Sequence, residues 1–438
     1  MSYYALLLFF VFDYLRPGSY IPGLDLLRLN ALVPLTAIAG TLALGTPVSN
    51  RQFFSESNTK LMGLLLALLI ASTLFATVTM TAYNKTTGVF GYMLVYWVMV
   101  RQVGDIRRLK GVFMTVTLVH MAVAVLNPQL FTNPDSREGI NSGAFLGDGN
   151  DFSLSVNLCI PLCLFLFFES RHKTGKLIWL LVLLTLVLGV VATKSRGGTL
   201  ALGAIGLYYW LKSERKVMMA ALATATVLVV IATAPPLWFD RMSTITDTEE
   251  SSAQGRILAW KAGVQMALRS PIVGVGPGHF AMAYGTANAS QWVTAHSIYF
   301  LLLGELGFPG LALLLAIIVS NLVSNRRLQK DVARLPREEA LTARNALTAT
   351  SASLVGFAVG GAFLSAAYYP HLYVLSGMLV SGRQLVRARI AANDAGRQGL
   401  LEAPTETAGS AIVTPGAISS DWRPRVAFDV GQASQHET

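Results

Sequence analysis

Apolar runs of roughly 17 to 22 residues alternate with short polar stretches along most of the chain, the length a helix needs to cross a hydrocarbon layer. The pattern predicts spans at roughly 2–15, 28–45, 61–79, 86–100, 111–127, 152–170, 177–193, 198–212 and 217–233. A long hydrophilic stretch follows, and then spans at 296–320, 345–366 and 370–386. The expectation is an all-α polytopic membrane protein of about twelve transmembrane helices. Its first apolar run reaches Asp13 and Arg16 without a small-residue cleavage pattern, which predicts a retained span rather than a removed signal. Residues 325–344, basic and acidic with one proline, read as a solvated loop. From about Ala391 the chain turns to Gly, Ala, Ser, Thr, Gln and Pro, and 391–438 is expected to be a disordered cytoplasmic tail.

Composition agrees with a bilayer protein: of 438 residues 53% are hydrophobic and 13% charged. The formal charge of +10 would suggest nucleic acid in a soluble protein. Here the basic residues sit in short loops between spans, so topology accounts for them and no nucleic acid is expected. With the N-terminus inside, alternate loops such as those bearing Arg101, Arg107, Arg108 and Lys110, or Arg326 and Arg327, hold twice the Lys and Arg of the opposite set. That bias places both termini in the cytoplasm and the loop 234–295 on the far side. Cys159 and Cys163, four apart on one apolar helix, are too far apart for a good disulfide and read as packing residues.

A few residues lie where topology gives no reason for them. Arg196, with Lys194, occupies a tight hairpin between two apolar spans, and Gly197 and Gly198 would let a bulky anion approach the backbone beside the guanidinium. The plain alternative is a short turn with two basic side chains reaching for the interface. Arg256 begins a stretch whose Ile257, Trp260, Val264 and Leu268 recur at helical spacing, as in a helix lying on a membrane, with Lys261 and Arg269 available to an anionic head group. Simple anchoring would explain it too. His296 opens a span, and an imidazole suits proton transfer at neutral pH, although a structurally bonded histidine fits equally. Tyr299 would share its helix face and orient the ring, whereas Glu305 falls out of phase. Asp148, Asn150 and Asp151 gather at another span's start, where they would bind sugar hydroxyls or, in the case of Asn150 or Asp151, cap a helix. The GVGPGHF run at 274–280 lacks the strand and lysine of a phosphate loop, so His279 reads as structural. No His, Cys, Asp and Glu set has metal-ligand spacing, and neither metal nor cofactor is expected.

The Arg196-Gly197-Gly198 triplet, the long loop bearing GRILAW, the GVGPGHF run and AHSIYFLLLGELGFPGL at 295–311 together resemble the bacterial O-antigen ligase and O-antigen polymerase superfamily, over roughly residues 60–385. The opening DYLRPGSYIPGL further resembles the O-glycosylation ligases associated with the exosortase A system. The resemblance implies a GT-C-like inner-membrane glycosyltransferase, with residues 1–390 as its membrane domain and short amphipathic helices in a periplasmic loop. It would move a glycan from a polyprenyl (undecaprenyl) diphosphate carrier onto an acceptor hydroxyl in the periplasm, inverting and without metal. Arg196 and Arg256 would hold the diphosphate and His296 would act on the acceptor, with Lys194, Lys261, Tyr299, Asp148 and Asp151 in support. The acceptor would be a lipid A core, as in lipopolysaccharide, a polysaccharide or a protein hydroxyl. A polymerase of the same superfamily, or a flippase for lipid-linked glycans, is the alternative.

Overall fold

A computed structural model describes residues 1–133, 140, 146–213, 216–244, 251–287 and 292–401, and the described residues are built from helices. The predicted spans all fall on helices: α1 (Ser2–Phe10), α2 (Leu29–Ala43), α4 (Ser57–Leu74), α5 (Thr79–Gln102), α6 (Ile106–Leu126), α8 (Gly149–Glu169), α9 (Lys173–Ala192), α10 (Arg196–Lys212), α11 (Lys216–Thr233), α15 (Ile298–Asp331), α16 (Arg337–Gly361) and α17 (His371–Leu401). Short α3 (Asn50–Ser55) and α7 (Gln129–Thr132) lie between spans. The long segment before α15 carries α12 (Pro236–Ser243), α13 (Ser251–Arg269) and α14 (Phe280–Ala287). Among the described residues seven helices are long and apolar enough to cross a membrane, namely α2, α4, α6, α8, α9, α11 and α15. The others at expected spans are shorter or more polar.

The chain is an all-α polytopic membrane protein. Its centre is α8: 78% of its most apolar stretch is buried inside the protein, against 6% for α11, whose apolar surface faces outward. Helix α16 packs on α8 and α10, while α13 lies along α15. Both cysteines are free and buried on α8, as packing residues would be.

Two boundaries differ from the sequence pattern. Residues 325–344 are not one solvated loop, because α15 runs on to Asp331 and α16 begins at Arg337. Leu328, Val332, Leu335, Ala343 and Leu347 close a small second core with Val386 and Ile390. The apolar residues that justify these extra turns are spaced too thinly among charges to register as a span. Likewise α17 passes Ala391 and reaches Leu401, while 402–438 lie outside the described residues.

One end of the bundle is fastened by buried charge. Arg383, 1% exposed, donates to Glu56, 3% exposed, and its Nη1 reaches Asn321 Oδ1 at 2.9 Å and Asn325 Oδ1 at 3.1 Å. Arg387 also bonds Glu56, and Asn321 donates to Asn58 at 2.8 Å. Every carboxylate and guanidinium here has a counterpart, the condition on which buried charge is tolerated. The cluster ties the start of α4 to α15 and α17, far along α15 from His296.

Candidate active site

Around the beginning of α15 the chain leaves regular helix, and the residues of interest meet there. Helix α15 breaks at Gly307, whose φ of 68° belongs to the left-handed region and whose backbone lies so close to the Pro271 carbonyl that a Cβ would sit 2.4 Å from it. The segment 270–280 runs beside this break and takes its carbonyls: Val275 N donates to Gly304 O at 3.0 Å and Gly276 N to Glu305 O at 3.0 Å. Ser72 of α4 donates to Val273 O at 2.6 Å, which adds α4 to the joint.

Glu305 is the hub. Its carboxylate, 1% exposed, accepts from Gly278 N at 2.7 Å, Phe280 N at 2.8 Å and the Tyr368 hydroxyl at 2.7 Å. A carboxylate thus occupies the glycine-run amides that a phosphate loop would offer to its ligand. His279 is structural too, since Val78 N donates to its Nε2 at 3.0 Å and its Nδ1 bonds Pro277 O at 3.0 Å. Glu305 does not partner His296, as its position out of phase predicts.

Arg196 is the first residue of α10, capped by Ser195, and is 7% exposed, with Nη1 donating to Thr244 O and Oγ1 at 3.1 and 3.2 Å. A small cleft is lined by Asn150, Ser195, Arg196, Gly197, Arg241, Arg256, Phe363 and Leu364. Arg196 and Arg256 do come together, and a third guanidinium joins them. Arg241, on α12, donates from Nε to Lys194 O at 3.0 Å. In the sequence it counts only as one more loop charge. Gly198 serves packing rather than ligand approach, as a Cβ there would meet Ser153 Oγ at 2.4 Å. Gly197 abuts Phe363 at the cleft wall.

His296 is not the first residue of the helix. It precedes the cap Ser297 and holds φ 46°, left-handed for a residue with a Cβ. Trp260 donates from Nε1 to Ala295 O at 3.0 Å and stacks on Phe300 at 5.0 Å between ring centroids. His296 N donates to Ser365 Oγ at 2.8 Å, and Ser365 donates in turn to Thr294 Oγ1. The imidazole is open to solvent at its surface. Burial of the rest of the ring, and then the Arg256 guanidinium, push it below its ordinary value of 6.5, while the Asp148 carboxylate pulls the other way.

The supporting residues are placed unevenly. Asp148 is the α8 N-cap, accepting from Asn150 N at 3.0 Å, so neither Asn150 nor Asp151 caps that helix. Asp151 accepts from the Tyr369 hydroxyl at 3.4 Å, a phenol that burial, and then Asp151, raises and keeps protonated. Lys194 turns inward, 2% exposed, and donates to Asn133 O at 2.7 Å. Lys261 lies exposed on the outer side of α13, and Tyr299 donates to Ala358 O at 2.8 Å instead of orienting His296. The stripe predicted on α13 is divided. Val264 and Leu268 are exposed, while Ala259, Gly263, Met266 and Ala267 are buried. Gly263 lets α13 approach Phe300 O, which a Cβ would meet at 3.0 Å.

The turn 362–370 was silent in the sequence. It supplies Phe363 and Leu364 to the cleft, Ser365 to His296, Tyr368 to Glu305 and Tyr369 to Asp151. A larger cavity of about 770 Å³ opens elsewhere, between Tyr3, Pro47 and Arg108. Its carboxylate, Asp105, is already paired with Arg108 at 3.5 Å, so the chemistry is assigned to the smaller cleft. Among the described residues no group of three metal-ligating side chains forms.

Residues 180–315 match the O-antigen ligase family. The O-antigen ligase match takes in Arg196, Arg241, Arg256 and His296, and leaves Asp148, Asp151 and Ser365 outside it. It bears out the superfamily resemblance, though not the narrower exosortase-associated one. Together with the apolar helices, the match supports an O-antigen ligase-like or polymerase-like membrane enzyme. No curated protein matches the chain.

Proposed function

We propose that the protein transfers a glycan from a polyprenyl diphosphate carrier to an acceptor hydroxyl at the outer face of the inner membrane, as a ligase. The meeting of Arg196, Arg241 and Arg256 around one cleft, with His296 beside it, carries this reading. As the bond between the anomeric carbon and the diphosphate oxygen breaks, negative charge grows on the diphosphate, and fixed guanidinium groups stabilise it more than they stabilise the bound donor. His296 takes the acceptor's proton while that oxygen forms the new bond to the anomeric carbon. The product has inverted configuration, and polyprenyl diphosphate leaves. Purified protein reconstituted with a polyprenyl diphosphate glycan and separate lipid A core, polysaccharide and peptide acceptors should glycosylate one acceptor class. Chain extension on the carrier alone would make it a polymerase, and no transfer to any acceptor would remove the enzymatic reading.

Arginine's planar fork holds a phosphate through paired hydrogen bonds that a lysine point charge cannot reproduce. Arg196→Lys and Arg256→Lys should each lower kcat/KM by about ten- to hundred-fold, the worth of a charged hydrogen bond. Donor titration and initial rates measure this, and a wild-type rate in either variant would take that arginine out of the diphosphate clamp.

The charge bias supports a position of 234–295 on the outer side of the cell membrane. A Ser251→Cys variant in a chain with Cys159 and Cys163 replaced should react with an impermeant maleimide added to intact spheroplasts. Labelling only after lysis would reverse the topology.

A further inference from the structure

The geometry points to Trp260 and Ser365 as the positioning residues that hold the base, an inference resting on the proposed role of His296. A left-handed backbone at a residue with a Cβ is strained and lasts only where its surroundings over-determine it. Here the peptide group that precedes His296 is held at both its carbonyl and its N–H by side chains distant in sequence. The indole N–H of Trp260 fixes the Ala295 carbonyl at 3.0 Å, and Ser365 Oγ fixes the His296 N–H at 2.8 Å. If His296 were drawn into α15 as an ordinary helical residue, its side chain would swing away from its present direction. The clamp prevents that.

Its two jaws adjoin residues that line the cleft. Trp260 lies one turn along α13 from Arg256, on the same helix face, and its ring is stacked within 10° of parallel on Phe300 of α15. Ser365 follows directly on Phe363 and Leu364, which line the cleft. The distance between the base and the arginines is therefore set by two hydrogen bonds and one ring stack, none of which touches donor or acceptor. Misplacement of a reacting group by about 1 Å is enough to cost on the order of 10²-fold in rate.

The test uses the full-length protein reconstituted with donor and acceptor. Ser365→Ala and Trp260→Phe, the latter keeping an aromatic ring against Phe300, should each lower kcat by about ten- to hundred-fold with donor affinity within about twofold of wild type. Ser365→Thr, which keeps the hydroxyl, should recover most of the rate. In a chain already carrying His296→Asn, neither substitution should lower the residual transfer further, because both act through the imidazole. Additive losses in that background, equal loss of donor binding, or wild-type kcat in both single variants would overturn the clamp. Undiminished transfer by His296→Asn itself would instead overturn the base assignment on which the clamp rests. Matching thermal unfolding midpoints among the variants separate either result from misfolding, and Ser365→Thr decides the matter if Ser365→Ala unfolds.

Discussion

Replacing His296 should reduce glycan transfer by roughly 10²–10⁴-fold, the worth of a positioned proton acceptor, while donor binding persists. Asn is the better substitute for this purpose than Ala. The position holds φ 46°, and Asn enters the left-handed region more readily, so His296→Asn removes the base with least disturbance to the backbone. The acceptor hydroxyl must lose its proton to a neutral imidazole, so the rate should be level at high pH and fall as pH drops through the histidine's pKa. Burial and Arg256 set that midpoint below 6.5. Because Asp148 opposes them, Asp148→Asn should move the midpoint lower still, and the amide retains an oxygen to cap α8. A pH–rate profile of the two proteins measures this. A midpoint that rises in Asp148→Asn, or full activity in His296→Asn, would return His296 to a structural role.

The second large effect is expected at Glu305. Glu305→Ala strands the N–H groups of Gly278 and Phe280 and the hydroxyl of Tyr368, all of which end on its carboxylate. At about 1–3 kcal/mol for each buried donor left without an acceptor, the loss should be on the order of 3–9 kcal/mol. Such a loss is a large fraction of a protein's net stability. Transfer should fall with it, since the turn 362–370 that Tyr368 anchors also carries Ser365. Unfolding in detergent by denaturant, followed through tryptophan fluorescence, gives the stability. An unchanged midpoint would mean that the helix break at Gly307 holds the loop without help.

What could be read from the chain and what could not divide along physical lines. Spans were legible because a helix in lipid must be apolar whether it faces a neighbour or a fatty acid. Arg196, Arg256 and His296 stood out because the positive-inside rule does not explain them. Arg241 did not, since one basic residue on a short amphipathic helix looks like any loop charge. Trp260, Ser365 and Glu305 were beyond reach for another reason. Their contacts join residues 35, 69 and, for Tyr368, 63 positions apart, and no local periodicity records such a pairing. Nor does a positive φ mark a histidine in the sequence as it marks a glycine, so the pattern starts the helix at His296 although it begins two residues later.

The charge cluster at the far end of the bundle has a consequence for how the protein is made. Glu56 leaves the ribosome 327 residues before Arg383, its buried counterpart. At about 5–20 residues per second, that interval is on the order of tens of seconds. Throughout it, α4 sits at the membrane with an acidic group whose permanent counter-charge has not been synthesised. The early helices therefore cannot settle against one another in their final form until α17 arrives, and a chain stalled before Arg383 presents an unmatched carboxylate to whatever inspects nascent membrane proteins.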